Sequence, residues 1–228
     1  MADKKKRNKI KVGSFVTPIG VASYPHLVTP DTKWKPEGEY RCPLIYDEAT
    51  ADTIRAKLQP LLDKGFEELK KEHFGDTPNA VKAKRMGKED LPIKALEDEE
   101  GNETGQYRIS PKKTASGEKK DGTPWKAKVN VFDSKGKKLL PPPAVWGGSK
   151  LRADCDVYAY YAAKDNVVGL TLEIVGVQII ELVSGGGERE SAFGEVEGGY
   201  EAADREDTFG GSDDTDAADG EDDTSADF

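Results

Sequence analysis

The clearest pattern in the chain lies at 150–161. There Leu151, Ala153, Cys155, Val157, Ala159 and Tyr161 alternate with Lys150, Arg152, Asp154, Asp156, Tyr158 and Tyr160. A period of two places successive side chains on opposite faces, so this is a strand with an apolar core face and a wet face. The same reasoning predicts strands at about 39–46, 106–112, 125–133 and 167–183, with Gly, Pro and Lys-Asp-Asn turns between them and a bulge at Gly176. One segment changes period. Ile54, Leu58, Leu61, Leu62, Phe66 and Leu69 recur at helical spacing and predict a helix over about 50–74, which Pro60 should kink or split. Residues 12–37 contain Pro18, Pro25, Pro30 and Pro36 and read as short extended pieces and turns. Residues 75–105 are polar, charged and broken by Gly and Pro, predicting a long excursion of low order. The chain is thus mainly β. About five strands with one inserted α-helix suit an OB-fold barrel, and the periodicity fits a sandwich as well.

The wet faces hold the candidate chemistry. On 150–161 they carry Lys150, Arg152, Tyr158 and Tyr160. At 125–133, Lys126, Lys128 and Phe132 oppose Trp125, Ala127, Val129 and Val131, and at 107–112, Arg108 and Lys112 oppose Tyr107 and Ile109. Single-stranded nucleic acid is held without sequence readout by this mixture, in which cations follow phosphates and rings stack on bases for about 1–3 kcal/mol each. Lysines on strands also block edge aggregation, so the pattern alone balances between the two readings. Asp154 and Asp156 interrupt the positive run. Solvated strand carboxylates are a simpler reading of them than a metal pair, and no metal or cofactor is expected.

Charge changes the picture further. The net charge is −9, but residues 188–228 hold 16 Asp or Glu against only Arg189 and Arg205. That segment carries −14, and subtracting it from −9 leaves +5 on residues 1–187. The division predicts a basic N-terminal arm at 1–11, a folded binding domain at 12–184, and at 185–228 a Gly linker followed by an acidic tail whose composition predicts disorder. The tail ends in Asp219, Glu221, Asp222, Asp223, Asp227 and Phe228. A terminal ring and carboxylate among negative charges suit a partner with an apolar pocket and a basic rim. Cys42 and Cys155 form no CxxC pair, so reduced thiols and a cytosolic protein are expected. The basic start lacks the apolar segment of a secretion signal, and no stretch reaches the ~18 apolar residues of a membrane span. Only His26 and His73 occur, neither near a nucleophile motif, and no phosphate-binding loop is present, which argues against an enzyme.

With these residues in view, the chain resembles the single-stranded DNA-binding proteins of T7-like bacteriophages. The likeness runs through V-F-D-S-K-G-K-K (131–138), G-G-S-K-L (147–151), the strand through Tyr160, L-T-L-E (170–173), I-I-E-L (179–182) and G-G-G-E (185–188), then Gly199-Tyr200. Weaker matches lie at Gly20 to Asp31 and in G-E-Y-R (38–41), and the helix and the Asp227-Phe228 ending fit as well. The resemblance implies an OB-fold, a homodimer, single-stranded DNA binding in replication and recombination, and strand annealing. It also implies tail contacts with the phage DNA polymerase and helicase-primase in the cytoplasm of an infected host. By the same resemblance Tyr160 falls on the family's stacking tyrosine. The family's nearby tryptophan is Ala162 here, with Tyr158 or Tyr161 to stand in. The family's basic residue before the glycine of G-x-Y-[KR] is Glu37 here, with Lys35 or Arg41 to replace it. Lys4, Lys5 and Lys6 fit the basic N-terminus. The rival readings are an acidic DNA-mimic interaction protein and, more remotely, a metal-dependent nuclease using Asp154 and Asp156.

Overall fold

A computed structural model describes residues 6–183. The chain begins with β1 (Lys9–Val16), β2 (Gly20–Ala22), β3 (His26–Asp31), β4 (Glu39–Arg41) and β5 (Leu44–Asp47). The main helix α1 (Glu48–Phe74) follows, then a single-turn α2 (Val81–Lys84). Next come β6 (Gly87–Lys88), β7 (Ile93–Glu97), β8 (Glu103–Ile109), β9 (Lys112–Thr114), β10 (Ser116–Glu118), β11 (Pro124–Lys126) and β12 (Asn130–Phe132). Two long strands, β13 (Lys150–Ala162) and β14 (Val167–Glu181), complete it. The architecture is mainly β with one main helix.

The β13–β14 hairpin is the spine. Its antiparallel register runs from Lys150 opposite Glu181 to Ala162 opposite Val167. The odd residues of β13 are all buried and the even ones are not, as their alternation predicts. β1 lies antiparallel along the free edge of β13. The other edge of β14 receives β6, β9 and β12, each parallel. A second ribbon pairs β4 with β9 and β5 with β8 in one uninterrupted register. Cys42 N–H donates to the Pro111 carbonyl at 2.9 Å where the strands are locally broken. β7 extends this ribbon beyond β8, while β10 and β11 form a separate two-stranded sheet.

Helix α1 closes one side of the core. The Asp47 carboxylate caps it by accepting from Thr50 N–H at 2.8 Å, satisfying one of the free donors of the first turn. Ala51, Ile54, Leu58, Leu62, Phe66 and Leu69 are its buried stripe. Gly65 sets its distance from the sheet: a Cβ there would collide with Ala159 and lie 3.2 Å from Val12 Cγ1.

Several expectations are corrected. α1 is not split at Pro60: it is one helix from Glu48 to Phe74, with buried residues on both sides of the proline. Residues 75–105 are not a low-order excursion. They contain α2, β6, β7 and the start of β8, with the short strands anchored on β14 and β8 rather than by their own apolar content. The count of about five strands becomes fourteen, since Pro43 and Pro111 split the strands expected at 39–46 and 106–112, and residues 127–129 split that at 125–133. The basic arm ends sooner than position 11, with Lys9 and Lys11 already inside β1. The bulge expected at Gly176 is present, with Val175 beside it as the unpaired residue of β14, and a second shift leaves Ile180 unpaired. No described helix is long and apolar enough to cross a membrane. The acidic tail, with Asp219, Glu221, Asp222, Asp223, Asp227 and Phe228, lies outside the described residues, as do Lys4 and Lys5.

Candidate nucleic-acid interface

The wet face of β13 is flanked by β1 and β14. Lys9 stands opposite Tyr160 and Lys11 opposite Tyr158 on one side, and Gly169 and Thr171 stand opposite the same two tyrosines on the other. Gly169 makes room for the ring of Tyr160: a Cβ there would lie 2.6 Å from Tyr160 Oη. The Tyr160 hydroxyl donates to the Glu89 carboxylate. Glu89 is itself fixed by its N–H donating to the Val168 carbonyl at 2.8 Å. Partial burial, and then the bond and charge of Glu89, push the Tyr160 phenol up to about 12.

Around Tyr160 opens a groove of about 900 Å³, whose walls include Lys9, Lys94, Arg108, Lys112 and Thr171. Lys94 on β7 stands directly opposite Arg108 on β8. Like charges facing each other across a strand pair repel, and a phosphate between them turns that repulsion into attraction. Lys94, Arg108 and Lys112 form no ion pair among the described residues. Lys9 is more occupied. Its ammonium lies 4.4 Å from the Tyr158 ring centroid and 3.3 Å from a Glu173 carboxylate oxygen, so it covers one face of Tyr158. Glu89 and Asp90 put negative charge on the same groove. The arrangement offers a slot with cations on several strands and a half-buried tyrosine ring, suited to an extended anion carrying flat groups.

The structure gathers only part of the sequence-derived set. Arg108, Lys112 and Tyr160 share the groove, and Tyr158 borders it through Lys9. Lys126 sits on the separate β10–β11 sheet and Lys128 is exposed on the link that follows it. Phe132 and Arg152 line a different, smaller cavity with Asp154. Lys150 pairs with Glu181 at 2.8 Å, and Lys6 donates to the His73 carbonyl at 2.7 Å. Lys35 and Arg41 are both drawn to Glu39, at 2.5 and 3.0 Å, and Arg41 also to Asp31 at 3.4 Å. Burial alone would raise the Glu39 carboxyl pKa, but the bond and charge of Lys35, the nearby Lys112 charge and the Arg41 bond hold it below the usual carboxylate range. Tyr161 packs on the core side against His73 and Phe74, so of the two candidates to stand in for the tryptophan only Tyr158 shares a face with Tyr160. Asp156 is paired with Lys11 at 2.7 Å, and among the described residues no group of three or more His, Cys, Asp or Glu is placed to hold a metal ion. The sequence reading missed Lys94 and the roles of Lys9 and Glu89. Lys9 carried a signal in the alternation of Lys9 and Lys11 with Ile10 and Val12.

Comparison with known proteins adds three findings. The family model described as single-stranded DNA-binding protein, bacteriophage T7, matches residues 19–182. The single-stranded DNA-binding protein of Enterobacteria phage T3 is 37% identical over 76 residues, covering 32% of this chain and 33% of that protein. The chain therefore spans about a third of the length of that curated relative. The crystal structure of gp2.5, a single-stranded DNA-binding protein encoded by bacteriophage T7, aligns with a TM-score of 0.58 at 24% identity, covering 83% of this chain and 98% of that one. That likeness shows a common fold.

Proposed function

Because this chain belongs to the single-stranded DNA-binding protein family of bacteriophage T7, we propose that it binds single-stranded DNA without strong sequence preference, along the groove around Tyr160. The observation that carries this reading is the convergence of Lys94, Arg108 and Lys112, unpaired among the described residues, on one groove with a tyrosine ring. Phosphates neutralise the cations, and a base stacks on the ring. The slot is open along its length, so it accepts a chain rather than a small molecule, and it holds no nucleophile–base pair for catalysis. The finer features follow the family. The sheet acts as an OB-type barrel, and in support β14 is bonded to β13 on one side and β9 on the other, while the β4/β5–β8/β9 ribbon keeps one register. The protein works as a homodimer in phage DNA replication and recombination, promotes annealing, and recruits the phage DNA polymerase and helicase-primase through its acidic C-terminal segment, in the cytoplasm of the infected host.

The test is a titration with oligo-dT and with duplex DNA at two salt concentrations. Single strands should bind more tightly, and log affinity should fall with log salt at a slope of about −2 for three neutralised phosphates. Equal affinity for duplex, or no salt dependence, would refute the reading.

A further inference from the structure

The second cavity, about 290 Å³, lies at the opposite end of the β13 wet face from Tyr160. Its floor is a row of side chains on three adjacent strands: Phe132 on β12, Gln178 on β14 and Arg152 on β13 stand in register. The next row holds Gly176 opposite Asp154. Because Gly176 has no side chain, the Phe132 ring lies over it; a Cβ there would be 2.9 Å from Phe132 Cε2. Gln178 fixes the neighbouring loop, its amide donating to the carbonyls of Asp133 and Ser134 at 3.1 and 3.0 Å. The platform is thus braced on both sides.

The charges are the unusual part. The other acids of this face, Asp156, Glu173 and Glu181, are paired with Lys11, Lys9 and Lys150. Asp154 and Arg152 line the cavity, and neither forms an ion pair among the described residues. A bare carboxylate on a surface that carries a polyanion repels it, unless the carboxylate meets hydrogen-bond donors. Among the four bases only guanine presents two adjacent donors, N1–H and N2–H, on one edge, with the O6 acceptor beside them. Adenine and cytosine each set a ring acceptor next to their single amino donor, and thymine flanks its one N–H with carbonyls.

We propose that this cavity is a nucleobase site selective for guanine: the base stacks on Phe132, its N1–H and N2–H donate to Asp154, and Arg152 donates to O6. The inference rests on the single-stranded DNA-binding reading and adds to it one position of sequence preference on an otherwise indifferent path.

The experiment measures the affinity of the full chain for an oligo-dT and for the same oligomer with one central dG, dA or dC, at two salt concentrations. The dG oligomer should bind on the order of tenfold more tightly than the others. Asp154→Asn replaces one acceptor by a donor and should abolish the dG advantage while leaving dT affinity equal or higher, since a negative charge is removed. Phe132→Leu keeps apolar contact on Gly176 but removes the stacking face, and should reduce the dG advantage without lowering the melting temperature much. Tight dT binding with no discrimination among the four oligomers overturns the guanine site and leaves the groove reading intact. A dG advantage that survives Asp154→Asn also overturns it. Failure to bind any of the oligomers overturns the function itself.

Discussion

At the scale of single residues, the two neighbouring tyrosines of β13 have opposite duties. Tyr160 lines the groove, with its hydroxyl on Glu89. Tyr161 is buried, its ring tilted 45° to that of His73 with centroids 4.5 Å apart, and its hydroxyl donates to Asn166 at 2.8 Å. Tyr160→Ala should therefore weaken single-strand binding by about 1–3 kcal/mol, the worth of one stacked base, with little change in stability. Tyr161→Ala should lower stability by about 3 kcal/mol through the cavity it leaves, with DNA affinity retained at temperatures where the variant stays folded. A thermal melt and a DNA titration on both variants check this together, and exchanged phenotypes would mean that the wet and core faces have been transposed. The raised Tyr160 pKa fixes the conditions. Folding holds its proton more tightly than the ordinary value of 10.0, so this contribution to stability is complete below pH 10.0 and is lost as pH rises toward about 12. In a titration at neutral pH the ring is thus uncharged and does not repel phosphate. Residue-scale chemistry also shows what a one-dimensional pattern hides. Lys35 and Arg41 look free in sequence, but both are held by Glu39, whose burial only the folded ribbon creates.

At the scale of elements, the position of α1 against β1 and β13 depends on one missing side chain. Gly65→Ala would gain up to about 1 kcal/mol of helix propensity. Its methyl would meet Ala159, whose Cβ is fixed to the strand backbone and cannot rotate away, and such overpacking costs about 1–3 kcal/mol. The clash should win, lowering the melting temperature by several degrees at about 2–4 °C per kcal/mol. A thermal melt that shows Gly65→Ala unchanged or more stable would contradict this account of the helix–sheet spacing. The same elements show which parts of the fold a sequence can display. β13 was legible because one face is wholly buried, so its parity is written in every second residue. The α1 stripe was legible for the same reason at helical spacing, and the helix is not split at Pro60, because propensity yields to tertiary packing. β6 and β7 were not legible. β6 is a two-residue strand, and β7 gains its order from pairing with β8 while most of its side chains remain wet. The groove inherits that limit: Arg108, Lys112 and Tyr160 come from strands with readable alternation, whereas Lys94 and Glu89 come from the stretch with none.

At the scale of the whole molecule, the charge division sets the last expectation. Residues 201–228 carry 12 acidic groups and one Arg, and they are joined to a body of net +5 through a glycine-rich stretch. We propose that this segment competes with DNA: a flexible tether of that length would give an effective concentration on the order of millimolar, at which a weak attraction suffices. Removing residues 201–228 should therefore tighten single-strand binding, and the gain should be largest at low ionic strength and fade as salt screens the charges. Removing Phe228 alone separates two roles. The negative charge remains, so competition with DNA should persist, while capture of a replication partner that seats the Phe228 ring in an apolar pocket should weaken. The measurement is the affinity for oligo-dT of the full chain, the chain ending at residue 200, and the chain lacking Phe228, each at low and moderate salt, beside a pull-down with the phage DNA polymerase. If the shortened chain binds DNA no more tightly at low salt, charge competition is excluded. The acidic segment would then act on partners or solubility alone, and the cations of the groove would already be free when DNA arrives.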